Sequence, residues 1–99
     1  MSEAFVLKTG DWPSMKALAL PIRLAVFVEE QGVPIEIEQD AMDAASLHAV
    51  AIHPVDGPVG TGRLLPDGHI GRMAVLRAWR GRGVGAAMTV RATRGSAPA

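Results

Sequence analysis

Hydrophobic positions along this chain follow two periods, and the switches between them mark out its elements. Ala4 to Thr9 reads as a short first strand. Gly10-Asp11-Trp12-Pro13 reads as a turn, with Asp11 or Ser14 placed to cap the helix that follows. Met15 to Leu20 and Pro21 to Gln31 read as helix. In the second piece Ile22, Leu24, Ala25, Val26 and Val28 recur at helical spacing. Pro21 lacks an amide hydrogen, which predicts a break or kink and hence two helices or one bent one. Gly32, with Pro34 just beyond, is a good helix stop. Ile35 to Ser46 shows neither period and reads as an acidic loop. Leu47 to His53, Val59 to Leu65 and His69 to Leu76 read as strands. The turns Pro54–Pro58 and Pro66-Asp67-Gly68 separate them. A last helix is predicted from about Val84 to Thr93, followed by a tail of small residues.

The predicted order is β-α-α-β-β-β-α, an α+β arrangement in which short turns make the last three strands an antiparallel meander. The chain has 99 residues and neither an internal repeat nor a linker, so residues 1–94 are taken as one domain and 95–99 as a tail. A hydrophobic content of 48% suits a folded protein. With Phe5, Trp12, Phe27 and Trp79 the only aromatics, the core must be largely aliphatic. The lack of cysteine removes disulfides, thiolate nucleophiles and cysteine-based zinc sites. No basic region precedes an apolar run at the N-terminus. The stretch from Ala17 to Val28 is interrupted by Pro21 and Arg23 and is too short to span a bilayer, so a cytoplasmic location and no membrane partner are expected.

Net charge is zero but unevenly placed. Residues 1–57 hold three basic residues against nine acids, and residues 58–99 hold seven arginines against Asp67 alone. A basic half suits a polyphosphate ligand and an acidic half a cationic amine. Mutual attraction of the two halves in the fold is an equal alternative reading. Nucleic acid is not an expected partner, because the acidic half would repel phosphate and basic residues do not interleave with aromatics.

The densest chemistry lies in Arg80-Gly81-Arg82-Gly83-Val84-Gly85, between the strand ending near Leu76 and the last helix. Glycines let the backbone approach an anion, and the first amide groups of a helix have no intrahelical acceptors and point outward. The helix dipole adds about half a positive charge there. Arg80 and Arg82 can add charge-assisted hydrogen bonds. Gly81, Gly83 and Ala86 also fit a short dinucleotide fingerprint. That motif needs its first glycine directly at a strand end and an acid further on, whereas here Arg77 to Arg80 intervene and no acid follows.

With these residues the chain resembles the GNAT superfamily of acyl-CoA-dependent N-acyltransferases. Arg80, Gly83 and Gly85 match its motif Arg/Gln-x-x-Gly-x-Gly/Ala, in the expected strand–turn–helix setting. The run Arg23 to Gln31, then Pro34, Glu38, Asp40 and Asp43, looks like the ElaA-like branch, as do the strands around Gly60–Leu64 and Ile70–Val75. The resemblance implies a GNAT fold with a mixed, mostly antiparallel sheet and helices on both faces. It implies acetyl-CoA as cosubstrate, its pyrophosphate on Arg80, Gly81, Arg82, Gly83, Val84, Gly85 and Ala86. The pantetheine amides would pair with the backbone of Met73, Ala74 and Val75. An amine, small molecule or peptide, would attack the acetyl group directly in a ternary complex. Family members continue beyond this helix with a fifth strand, a fourth helix and usually two more strands, and often carry a tyrosine that protonates the leaving thiolate. This chain stops at Ala99 and has no tyrosine, so the expectation is a fold truncated after its third helix, with half a cofactor cleft. The alternative function is a catalytically impaired remnant that binds coenzyme A or dimerises through the exposed sheet edge.

The catalytic candidates are Glu30, Glu29 and His48. Two acids at a helix C-terminus oppose the dipole, which leaves a solvated helix end and a general base or amine anchor as readings. His48 and His53 are an odd number apart in one strand and should point to opposite faces, against a shared metal; His48 remains a candidate proton relay. Glu36, Glu38, Asp40 and Asp43 read either as a solvated loop or as a funnel for a cationic substrate, without the spacing of a calcium loop. Arg23, Arg63 and Arg72 read as structural ion-pair residues, His69 as exposed, and Trp79 as a packing residue.

Overall fold

The computed structural model describes residues 5–96. Ala4, placed in the first strand by sequence, and Ala97 to Ala99 of the tail lie outside the described residues. Four strands, β1 (Val6–Gly10), β2 (Leu47–His53), β3 (Gly57–Leu64) and β4 (Ile70–Val75), form one sheet in the order β1-β2-β3-β4. Every pairing is antiparallel. The meander predicted for the last three strands is present, and β1 joins it beside β2. Parallel pairing of the kind that would make the sheet mixed does not occur among the described residues.

Helix α1 (Trp12–Arg23) starts where Asp11 accepts the Ser14 amide hydrogen at 3.0 Å. It does not break at Pro21. The chain stays helical and widens into a π-helical stretch, Leu24–Glu30, beginning three residues later. Proline removes the hydrogen bond to the preceding turn, and Pro21 lies on the exposed side of the helix. The wide turn follows closely on the proline, so the expected break into two separate helices does not occur. Gly32 then ends the helix with φ +73°.

Ile35 to Ser46 is not the loop that the sequence predicts. It holds two single-turn helices, α2 (Ile35–Glu38) and α3 (Met42–Ala45), and it buries Glu38 and Asp43. Helix α4 (Val84–Ser96) runs past Gly95, where the tail was expected to begin.

The sheet is covered on both faces. Met15, Ala19, Ile22 and Val26 of the first helical segment pack with Val50 and Ala74. Val84 and Met88 of α4, with Trp79, pack with Ala49, Ala51 and Val59 on the other face. Alternate residues of β2 therefore feed opposite cores, as period-two side-chain placement requires. Helix α4 sits close to the sheet because Gly60 presents no side chain: a Cβ there would lie 2.7 Å from Val84 Cγ1 and 3.0 Å from Met88 Cε.

Candidate functional site

After Val75 the Leu76 amide still donates to Val59 at 2.9 Å, and then a single 3-10 turn, Arg77–Trp79, lifts the chain off the sheet. Trp79 anchors the loop. Its indole is 4% exposed, donates Nε1–H to Asp56 Oδ2 at 2.9 Å and packs on His53 at 4.6 Å between centroids. Trp79 is thus a packing residue, as expected, and it ties the loop to the β2–β3 turn.

The backbone then passes through Gly81 at φ +77° and Gly83 at φ +81°, both left-handed, before α4 begins at Val84. A Cβ at either glycine would meet nothing within 4 Å. The glycines are therefore required by conformation, and the space beside them is open. The first amide groups of α4, at Val84, Gly85 and Ala86, follow directly on these glycines, and helix geometry leaves them without intrahelical acceptors. Backbone donors, the positive helix end and free volume together make a fit for an anionic group.

The two motif arginines are engaged. Arg80 Nε donates to the Val75 carbonyl at 2.9 Å, and its Nη2 donates to both carboxylate oxygens of Glu30, at 2.8 and 3.0 Å. Arg77 reaches Glu30 at 3.5 Å. Arg80 holds the Glu30 carboxyl below its ordinary value of 4.5. The arginines also offset the unfavourable position of that acid at the end of a helix. The Arg82 guanidinium lies 4.7 Å above the Trp79 ring.

The structure therefore brings Glu30 to the glycine loop, and Glu29, beside it, is exposed. His48 is not brought there. It lies on β2, with β3 between it and β4, on the face covered by α1. Its ring is buried 4.7 Å from Trp12, with Nε2 2.8 Å from the Asp43 carbonyl oxygen. Burial pushes its pKa below 6.5. His53 faces the other core, against Trp79, so the two histidines do point apart. His69 is exposed and pairs with Asp67.

Met73, Ala74 and Val75 form the end of β4, the edge strand of the described sheet. Pairing with β3 is irregular here. It steps from Thr61↔Ala74 to Arg63↔Gly71, so Arg72 and Met73 together oppose Gly62. Arg72 has φ +48°, a left-handed conformation that costs a non-glycine residue about 1–3 kcal/mol. Such bulges re-aim strand ends and often stand beside functional sites.

Sequence reasoning left the acidic segment as a solvated loop or a substrate funnel, and for its buried members neither holds. Arg23, 1% exposed, donates Nε–H to Glu38 at 2.6 Å and pairs with Asp43 at 2.7 and 3.2 Å. Arg63 pairs with Asp43 at 2.9 Å and with Asp40 at 2.7 and 3.1 Å. Arg72 adds 3.2 Å to Asp40. The Arg63 guanidinium holds the Asp40 carboxyl down to about 2. The reading of these three arginines as ion-pair residues is correct. Their partners could not be read, because they come from the segment read as either a solvated loop or a substrate funnel.

Two shallow apolar grooves of about 480 Å³ meet at Pro21, one along α1 and the other between α1 and Pro58 of β3 with Leu76. Neither reaches the glycine loop, and among the lining residues Lys16 alone is charged. No helix among the described residues is long and apolar enough to cross a membrane.

No protein-family model matches the sequence. The chain is 44% identical over 73 residues to a Bacillus subtilis (strain 168) protein named as an acetyltransferase, covering 68% of this chain and 49% of that protein. It is 41% identical over 70 residues to the N-acetyltransferase YjcF of the same organism, with the same coverage. It thus spans about half the length of the curated relatives it matches. Among solved structures, an N-acetyltransferase from Lactobacillus plantarum superposes with a TM-score of 0.80 at 32% identity, over 93% of this chain and 66% of that one. Escherichia coli ElaA gives 0.74 at 26%, over 93% and 69%. An acyl-CoA N-acyltransferase from Pseudomonas aeruginosa gives 0.77 at 27%, over 94% and 70%. These matches agree with the strand–loop–helix geometry just described, and the chain belongs to the GNAT superfamily of N-acetyltransferases, alongside ElaA.

Proposed function

We propose that this chain binds acetyl-CoA across the glycine loop and the β4 edge, and serves transfer of the acetyl group to an amine. The observation that carries this reading is the pair of left-handed glycines opening directly onto the N-terminus of α4. The pyrophosphate would lie on the backbone of Arg80 to Ala86, and the pantetheine amides would meet the outward backbone groups of Met73 to Val75. Acetyl-CoA supplies an acyl group already activated as a thioester. What remains for the protein is to align that group, exclude water and relieve the acceptor of a proton.

The proton acceptor belongs to the pair Glu29 and Glu30. Glu30 is bound to Arg80, and a carboxyl held below its ordinary value is the weaker base while that pair persists. Glu29 is exposed and adjacent, free to work through water. Binding of pyrophosphate would compete with Glu30 for the Arg80 guanidinium, loosening the pair as the ligand arrives. His48, buried behind Trp12, would act only as a distant relay. The acceptor is a small-molecule or peptide amine.

β4 is also the edge through which two copies could pair. That contact would use the backbone groups offered to acetyl-CoA. Sedimentation with and without acetyl-CoA separates the two: ligand should shift any dimer toward monomer.

The direct test is calorimetric titration with acetyl-CoA, comparing the native chain with Gly83→Val. A β-branched residue at φ +81° is strained, so the variant should bind about tenfold more weakly or worse. Equal affinity for both proteins would remove the loop from the binding site.

A further inference from the structure

Arg72 stands in a conformation that bulges ordinarily give to glycine, so something beyond the backbone must hold it there. Its Nη2 reaches Asp40 Oδ2 at 3.2 Å. Asp40 is itself fixed on several sides. Arg63 grips both its oxygens, the Met42 amide donates to Oδ1 at 3.0 Å, and its own amide donates to Asp43 Oδ2 at 3.2 Å. Arg63 is the β3 partner of Gly71, the residue just before the bulge. One carboxylate thus holds the regular strand and the bulged residue of its neighbour together. The next residue, Met73, lays its side chain over Gly62, where a Cβ would come within 3.0 Å of its Cε and 3.1 Å of its Sδ.

We propose that Asp40 is a positioning residue, which holds Arg72 in its left-handed conformation and thereby sets how Met73 to Val75 present their outward backbone groups to an acyl-CoA chain. The inference rests on the acyl-CoA reading above and assigns Asp40 no contact with the ligand. Nor does it need the acidic segment to receive a cationic substrate.

The test separates tether from conformation. Arg72→Met removes the tether and keeps the Cβ, while Arg72→Gly removes both the tether and the need for it. Acetyl-CoA binding by calorimetry should weaken about three- to fivefold in Arg72→Met, the range that one exposed but organised ion pair can supply. Arg72→Gly should bind like the native chain. Asp40→Asn should resemble Arg72→Met, and Asp40→Asn with Arg72→Gly should recover. A purely structural loss would not be rescued by glycine. If Arg72→Gly is as weak as Arg72→Met, the guanidinium itself meets the ligand and the proposal fails. It fails equally if all variants bind alike.

A second readout needs no ligand. The nuclear Overhauser contact between the Met73 methyl and Gly62 should be lost in Arg72→Met and return in Arg72→Gly. This arm also decides the matter if Asp40→Asn does not fold. Should the native chain bind no acetyl-CoA, the acyl-CoA reading falls, and the Met73–Gly62 contact still shows whether Arg72 is held through its side chain. An unchanged contact in Arg72→Met overturns the proposal.

Discussion

Arg23 shows what a single buried charge contributes here. It satisfies Glu38 and Asp43 at once and lies 5.0 Å from the Trp12 ring centroid. Replacing it with methionine would leave two buried carboxylates without their main partner. Arg23→Met should lose about 3–5 kcal/mol in urea unfolding, the usual result of breaking a buried pair from one side. A loss under about 1 kcal/mol would mean the carboxylates simply protonate or reach water. Two residues should make stability depend on pH in the same direction. His48 is held neutral by burial, so the unfolded chain takes its proton first and stability declines as pH falls below 6.5. Asp40 is held ionised down to about 2, so its contribution is present above 3.8 and lost as pH falls from there. The thermal midpoint should fall on going from about pH 7 to pH 5, and His48→Gln should flatten that first decline. A native midpoint constant over this interval would contradict the assignment. The arginines were recognisable as ion-pair residues from their spread over a helix and two strands. Their partners were not, because the bonds join residues 15 to 32 positions apart and no local pattern marks Glu38 or Asp43 as buried.

Strand and helix periods carried most of the architecture. Leu47–His53 was legible to the residue, and the remaining strands to within one or two positions, because turn formers bracket them. Two features were not legible. Pro21 argued for a break or a bend, and the break did not occur: its exposed position let α1 run on into the π-helical stretch, a choice made by packing against the sheet and not by propensity. The β4 bulge was also hidden, since arginine at its left-handed position gives none of the glycine signal that usually marks one. The seating of α4 offers a test at this level. Gly60→Ala would drive a methyl against Val84 and Met88, pushing the helix off β3 at a cost of about 1–3 kcal/mol. Because α4 would supply amide donors to the anion in the proposed site, the same variant should also weaken acetyl-CoA binding. Loss of stability with unchanged affinity would show that the loop keeps its geometry independently of the helix seat.

The charge asymmetry of the chain resolves in the folded molecule. Acids of the first half meet arginines of the second: Asp40 and Asp43 with Arg63, Asp40 with Arg72, and Glu30 with Arg77 and Arg80. The reading in which the halves attract each other therefore accounts for several of these charges. What it leaves over is the open, electropositive helix end beside Gly81 and Gly83, which faces no carboxylate of its own loop. The motif was readable because its glycines and arginines are adjacent in sequence. The Glu30–Arg80 contact was not, because it spans 50 positions. The most direct measurement is titration of the isotope-labelled chain with acetyl-CoA, followed by amide shifts. Binding should move Met73 to Val75 and Arg80 to Ala86 together, and disturb Glu30 as Arg80 is drawn to the ligand. Spectra unchanged at millimolar acetyl-CoA would contradict the acyl-CoA site and leave the loop as a structural turn of the fold.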